Sequence, residues 1–327
     1  MYNIAATLKQ KPHTTIYISR PDDRLRQQTA GANVRRRSWF PWRLFFGLFG
    51  AFTTLAVVLG TIRVVHAHDL LTGNHSMQST QKYISQPAIR PAPVDNDELA
   101  QSINSTIAQN SNLEIGVSLV SVADGKTANF GVSDPYVAGS VDKLMTASLF
   151  FHEVDDKQAS LGQVLEDNDN AQDDLQKMVV LSDNDAWQSL NDYLTHDALR
   201  AYANSVGVRS YDPDNNTIAP EDIAQLLYKI YDKKLLSPAS TTQLLSYMKQ
   251  ANYTQFIMAA IPNGVKAYHK VGYLDDRLND VAIIDNGKTP YVLVIFSKTA
   301  DNSQYDFGGQ GQQLFQSLTK TTINDLL

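Results

Sequence analysis

Ser140 and Lys143 stand three residues apart in Gly139-Ser140-Val141-Asp142-Lys143, where a glycine-ended loop runs into an apolar stretch reaching Phe151. On a helix these two positions share a face, so a hydroxyl and an amine would meet at a helix N-terminus. A serine hydroxyl is a poor nucleophile at its free pKa and needs an adjacent base. A lysine can be that base only if burial and nearby positive charge lower its pKa. Leu144, Leu149 and a second cation, Lys270, would all push it that way. The helix N-terminus would favour an oxyanion formed on attack at a carbonyl. Asp142, between the two, reads as a solvated helix-start acid favoured by the macrodipole. A plain N-cap role for Ser140 is the alternative, because about one Ser-x-x-Lys is expected by chance in a chain of this length.

Two further clusters change that weighing. Ser182-Asp183-Asn184 follows Lys143 after 39 residues, and Lys270-Val271-Gly272 starts a strand-like stretch later in the chain. This order, with Asn279-Asp280-Val281-Ala282-Ile283-Ile284 after the third cluster, resembles class A serine β-lactamases and penicillin-binding relatives over roughly the last 230 residues. The resemblance implies a Ser140 acyl-enzyme with Lys143 as base and Ser182 passing the proton to the leaving amine. Asn184 would donate to a substrate amide and brace Lys143. Lys270 would hold a substrate carboxylate, and Gly272 would let the substrate backbone approach. The backbone N–H groups of Ser140 and Tyr273 would form the oxyanion hole. The implied substrate is a β-lactam or a D-alanyl peptide, with no cofactor.

The departures are specific. Val271 replaces a Ser or Thr whose hydroxyl would bind the substrate carboxylate, a loss of ~1–2 kcal/mol; Arg277 is placed nearby as compensation. The family's Glu-Pro-Glu-Leu-Asn loop, which holds the hydrolytic water, has as counterpart Asp212-Pro213-Asp214-Asn215-Asn216. Asp212 and Asn216 keep the spacing, but the carboxylate is one methylene shorter, ~1.5 Å of reach, and a misplacement of ~1 Å can cost ~10²-fold. A turn with no catalytic part is the competing account of Asp212. The loop after Asn216 and the stretch between Lys143 and Ser182 are both short for the family.

The elements that must position these residues follow from periodicity. Leu99, Ile103 and Ile107 mark an amphipathic helix over 95–110. Strands are expected at 113–122 and 127–131 around the turn Ala123-Asp124-Gly125-Lys126, then at 268–274, 280–285 and 291–298. Between the two groups lie helices near 141–154, 175–194 (broken at Ser182), 197–206, 219–231 and 238–248, and a last helix spans 309–326. The expected class is α+β: a five-stranded antiparallel sheet flanked by helices, with an all-helical subdomain inserted between strands two and three.

The chain has 327 residues, no cysteine and net charge −6. Nine basic residues against two acidic ones in 1–43 leave an acidic body, which argues against nucleic acid. Without cysteine there is no disulfide or thiolate chemistry. Residues 1–43 read as a basic cytoplasmic tail. The 19 uncharged residues Leu44–Ile62, preceded by Arg35-Arg36-Arg37 and Trp39 and Trp42, read as a membrane span within 44–64 with the N-terminus inside. A Pro/Gln/Ser-rich linker covers 65–95, and its histidines (His66, His68, His75) read as solvated. The domain 96–327 would then lie outside the cell membrane, as a monomer, and no metal site is expected. Three functions compete: an anchored β-lactam hydrolase with slow deacylation, a penicillin-binding D,D-peptidase, and a non-catalytic anchored binding domain.

Overall fold

The structure, a computed structural model, describes residues 97–326. The expected tail, span and linker lie outside the described residues. Among the described residues no helix is long and apolar enough to cross a membrane.

In chain order the elements are α1 (Asp97–Gln109), β1 (Leu113–Ser121), β2 (Thr127–Gly131), β3 (Tyr136–Val137), α2 (Lys143–Asp155), α3 (Ala171–Gln176), α4 (Asn184–Leu194), α5 (His196–Ser205), β4 (Thr217–Ile218), α6 (Pro220–Tyr231), α7 (Pro238–Lys249), β5 (Lys266–Leu274), β6 (Arg277–Asp285), β7 (Tyr291–Thr299) and α8 (Gln312–Leu326). The main sheet is five-stranded and antiparallel throughout, in the order β2-β1-β7-β6-β5. The expected architecture is therefore observed with one correction: the insertion is not all helical. It contains the two-residue ladder β3–β4, in which Tyr136 pairs with Ile218 and Val137 with Thr217.

Strand alternation explains why the central strands read as unbroken apolar runs. Val281 and Ile283 of β6 and Val292, Val294 and Phe296 of β7 enter the core shared with α2 and α6. Their neighbours Ala282, Ile284, Leu293 and Ile295 enter the other core, under α1 and α8. Both faces are covered, so both parities are apolar. Helix α2 is buried along its first nine residues, Lys143 to Phe151, which is why it lacks a polar face. It is the central post of the helical part, and its N-terminal end meets the β5 edge.

Local chemistry sets the breaks. Asp183 caps α4 by accepting from the Ala186 N–H at 2.9 Å. Before it, Lys177–Leu181 widens into a π turn, and Ser182 adopts the left-handed conformation (φ 60°, ψ 30°). That geometry costs a non-glycine residue ~1 kcal/mol or more and is held by its surroundings. Pro220 opens α6 and Pro238 opens α7, positions where a missing N–H does no harm.

Candidate active site

The site forms where the N-terminal end of α2 meets β5. Gly139–Val141 make one 3₁₀ turn, and Lys143 begins α2. Two glycines allow the approach. Gly139 has φ +58°, and a Cβ there would lie 3.2 Å from the Tyr273 N. A Cβ on Gly272 would lie 2.2 Å from the Ala138 O and 2.9 Å from both Ser140 N and Val141 N. Gly272 therefore lets the Ser140 turn rest directly on the strand. Asn279 of β6 fixes the same loop from beneath. Its side-chain amide donates to the carbonyls of Val137 (2.9 Å) and Ala138 (3.2 Å).

Lys143 Nζ lies 2.9 Å from Ser140 Oγ and donates to Asn184 Oδ1 at 2.6 Å. The lysine is 1% exposed and its ammonium sits 4.8 Å from the Trp187 ring centroid. Burial lowers its pKa to about 8, against the opposing pull of Asp142 and Asp183. Lys270 is fully buried and donates to Ser182 Oγ. Burial first, and then repulsion by Lys143, lower its pKa to about 7. Each amine thus gives up its proton far more readily than a solvated lysine, and the charge on Lys143 disfavours a second charge on Lys270. A neutral Lys143 can take the Ser140 proton across 2.9 Å. Ser140, Lys143 and Asn184 thus form one hydrogen-bonded group and Ser182 with Lys270 a second, the two linked by repulsion between the lysines; they are drawn from the 3₁₀ turn, α2, the turn before α4, α4 itself and β5.

Other expected site residues are placed differently. The Asn216 carbonyl accepts from the Ala138 N–H at 2.8 Å, and its side-chain amide donates weakly to the Gly139 O at 3.4 Å. Its Oδ1 is buried without a partner. Asn216 is therefore brought against the loop that carries Ser140. The Asp212 carboxylate instead closes its own turn, accepting from the Asp214 N–H (3.0 Å) and the Asn215 amide (2.6 Å). Those bonds, the Asn215 one foremost, lower its pKa. The Arg277 guanidinium is engaged bidentately by Asp276 at 2.7 and 2.6 Å. Val271 is 1% exposed and belongs to the core under α1 and α8. Tyr273 is 46% exposed at the rim, its hydroxyl 3.0 Å from that of Tyr253.

Asp142 needs a correction. It is not solvated: it is 2% exposed, and its Oδ1 has no hydrogen-bond partner. Burial raises its pKa to about 7, with Tyr211 and Lys143 opposing. The following turn of α2 is apolar, and the Tyr211 side of the loop covers the acid. His269 is fully buried on β5, facing Asp280 Oδ1 at 3.4 Å and the Ala251 O at 3.2 Å. It ties the segment after α7 to the sheet, consistent with a strand residue.

Sequence reasoning missed Trp187 and left Asn279 without a role. Trp187 sits three residues after Asn184 and so shares its face of α4. Its indole N–H donates to Thr146 Oγ1 at 3.0 Å, and Thr146 bonds Asn191 at 2.8 Å, locking α4 to α2. The helical spacing of Asn184, Trp187 and Asn191 was the available signal.

The comparisons with known proteins agree with this fold. A family model described as the beta-lactamase enzyme family matches residues 98–326. Among solved structures, PBP-A is similar with a TM-score of 0.64 at 22% identity, covering 70% of this chain and 95% of that one. A putative class A beta-lactamase, PenP from Rhodopseudomonas palustris, gives 0.64 at 20% identity, over 70% and 99%. An ancestral class A beta-lactamase gives 0.63 at 19% identity, over 69% and 99%. No curated protein matches the sequence. The structural likenesses carry the fold, and the family match over most of the chain carries the kinship: this chain belongs to the beta-lactamase enzyme family.

Proposed function

We propose that this protein is a serine hydrolase that opens β-lactam amides through a Ser140 acyl-enzyme and releases the product slowly. The observation that carries the reading is the buried Lys143 amine, 2.9 Å from Ser140 Oγ and braced by Asn184. In the first half-reaction, neutral Lys143 takes the Ser140 proton as Oγ attacks the lactam carbonyl. The N–H groups of Ser140 and Tyr273 receive the oxyanion. Ser182, fed by Lys270, hands a proton to the leaving nitrogen as the C–N bond breaks. A substrate carboxylate beside Lys270 would raise that lysine's pKa and draw the pair's proton to it, leaving Lys143 free as base.

Slow release follows from the loop after α5. Among the described residues no carboxylate hydrogen-bonds Ser140 or Lys143, and Asp212 is held in its own turn. The acyl-enzyme then lacks a well-placed carboxylate to activate water. A mutant of the similar PBP-A is described as an acyl-enzyme complex with penicillin G, which supports the same chemistry here. The same feature favours a second reading, a penicillin-binding D,D-peptidase, in which the acyl group would come from a D-alanyl peptide. A non-catalytic domain is disfavoured by the buried Lys143 amine held against Ser140 and Asn184. The uncharged span Leu44–Ile62 would anchor the catalytic domain outside the cell membrane.

A chromogenic cephalosporin mixed with the full chain tests this. The expected trace is a burst near one equivalent followed by slow turnover. Failure to show either burst or turnover overturns the reading. Release of D-alanine from a wall peptide, faster than cephalosporin turnover, would move the assignment to the peptidase.

A further inference from the structure

The stretch Leu165-Glu166-Asp167-Asn168-Asp169-Asn170 is an irregular loop leading into α3, between Lys143 and Ser182 in the chain. It brings three acids together. One carboxylate oxygen each from Asp167, Asp169 and Asp174 lie within 4.8 Å of one another. No metal site is expected from the sequence, because no His/Asp cluster in the domain has ligand spacing. Asp174 is the feature that does not fit a solvated face. It lies on the inner side of α3, 0% exposed, and neither of its carboxylate oxygens has a hydrogen-bond partner. A buried carboxylate left without donors is costly, and it points into the space shared with Asp167 and Asp169. Burial first, and then the Asp167 charge, raise its pKa to about 6.

Lys177 does not resolve the imbalance. Its ammonium bonds Asp169 and stands 4.0 Å from Asp174 Oδ1, beyond hydrogen-bond distance. One lysine faces three carboxylates, and its side chain is 42% exposed, so it can swing out. Carboxylate oxygens presented by an irregular loop are ligands for a hard cation, and Ca²⁺ accepts such oxygens in variable number and geometry. Mg²⁺ demands near-ideal octahedral geometry and parts reluctantly with its waters, which suits an irregular carboxylate cluster less well.

We propose that Asp167, Asp169 and Asp174 form a calcium site, with solvent completing the shell and Lys177 displaced on binding. The ion would join the loop to α3. The segment that follows α3 is the Ser182 turn: the Lys177 carbonyl accepts the N–H groups of Ser182 and, at 3.3 Å, Asp183.

The test is calorimetric titration of the chelator-treated full chain with Ca²⁺, alongside thermal unfolding with and without the ion. One saturable site is expected, with a melting temperature that climbs with Ca²⁺ concentration. Asp174→Asn, which removes the buried charge while keeping its shape, should weaken binding at least tenfold. Asp169→Asn, at a more exposed position, should weaken it similarly and serves if the first variant folds poorly. Lys177→Met should tighten binding, a result that a purely structural acid cluster does not predict. Absence of saturable binding at several millimolar Ca²⁺, or unchanged affinity in both Asn variants, overturns the proposal. Equal affinity for Mg²⁺ overturns the assignment to calcium.

Discussion

Replacing Gly272 with alanine should cripple acylation while leaving a folded protein. The new Cβ would lie 2.2 Å from the Ala138 O, where ordinary contact begins at 3.4 Å. Ser140 N and Val141 N are each also too close, at 2.9 Å. Every opposing atom is backbone, so no side-chain rotation relieves the clash. The loop cannot simply retreat either, because Asn279 holds the carbonyls of Val137 and Ala138. Relief requires the turn carrying Ser140 to move by about 1 Å relative to β5. A displacement of ~1 Å at a nucleophile costs ~10²-fold, or ~2.7 kcal/mol of barrier. Overpacking itself should cost ~1–3 kcal/mol of stability, so the assay belongs well below the melting temperature. The second-order rate of labelling by a fluorescent penicillin is the measurement, with circular dichroism confirming the fold. A folded Gly272→Ala protein labelled within threefold of the wild-type rate would refute the argument that this contact positions Ser140.

Further expectations follow from the same geometry. Acylation requires neutral Lys143, whose pKa is lowered to about 8. Its rate should therefore fall tenfold per pH unit on the acid side of a limb near pH 7–8; a profile flat from pH 6 to 9 would contradict the lysine-base assignment. Asn279→Ala should remove both clamps on the nucleophile loop and slow labelling at least tenfold, with a melting temperature some degrees lower, read in the same assay. Asp142→Asn bears on a buried acid whose folded pKa, about 7, exceeds its unfolded value. The native acid keeps a proton that the unfolded chain releases, so this contribution is full below pH ~4 and is lost as pH rises through about 7. The variant should gain stability over wild type across that window, by up to a few kcal/mol, seen as a widening gap in melting temperature; a constant gap would contradict it. Asp212→Asn should leave the deacylation rate within about threefold of wild type, since its carboxylate serves its own turn; a trapped acyl-enzyme would show that the loop rearranges around substrate.

The parts of this fold that could be read from sequence are those governed by periodicity and local turn chemistry. The five strands of the main sheet and the break at Ser182 fall within a few residues of expectation. Ser140, Lys143, Ser182, Asn184 and Lys270 could be picked out as candidates because their spacing is tied to a helix N-terminus, a cap and a strand. What escaped depends on tertiary burial. Asp142 and Asp174 are ordinary surface acids by local pattern, yet both are buried in the folded chain. The Asp212 turn kept the family spacing, but the asparagine beside it competes for the carboxylate, a pairing no spacing rule reveals. Val271 looked like a lost substrate contact, whereas its methyl groups fill the core beneath α1 and α8. The ladder β3–β4 is too short for alternation to mark it.

The central claim is that Ser140 is a nucleophile activated by Lys143. Intact-mass analysis of the protein during incubation with a penicillin tests it most directly, with Ser140→Ala alongside. The account predicts an adduct of one intact penicillin on the wild-type chain, persisting for minutes or longer, and none on the variant. No adduct on wild type, or the same adduct on Ser140→Ala, would contradict it.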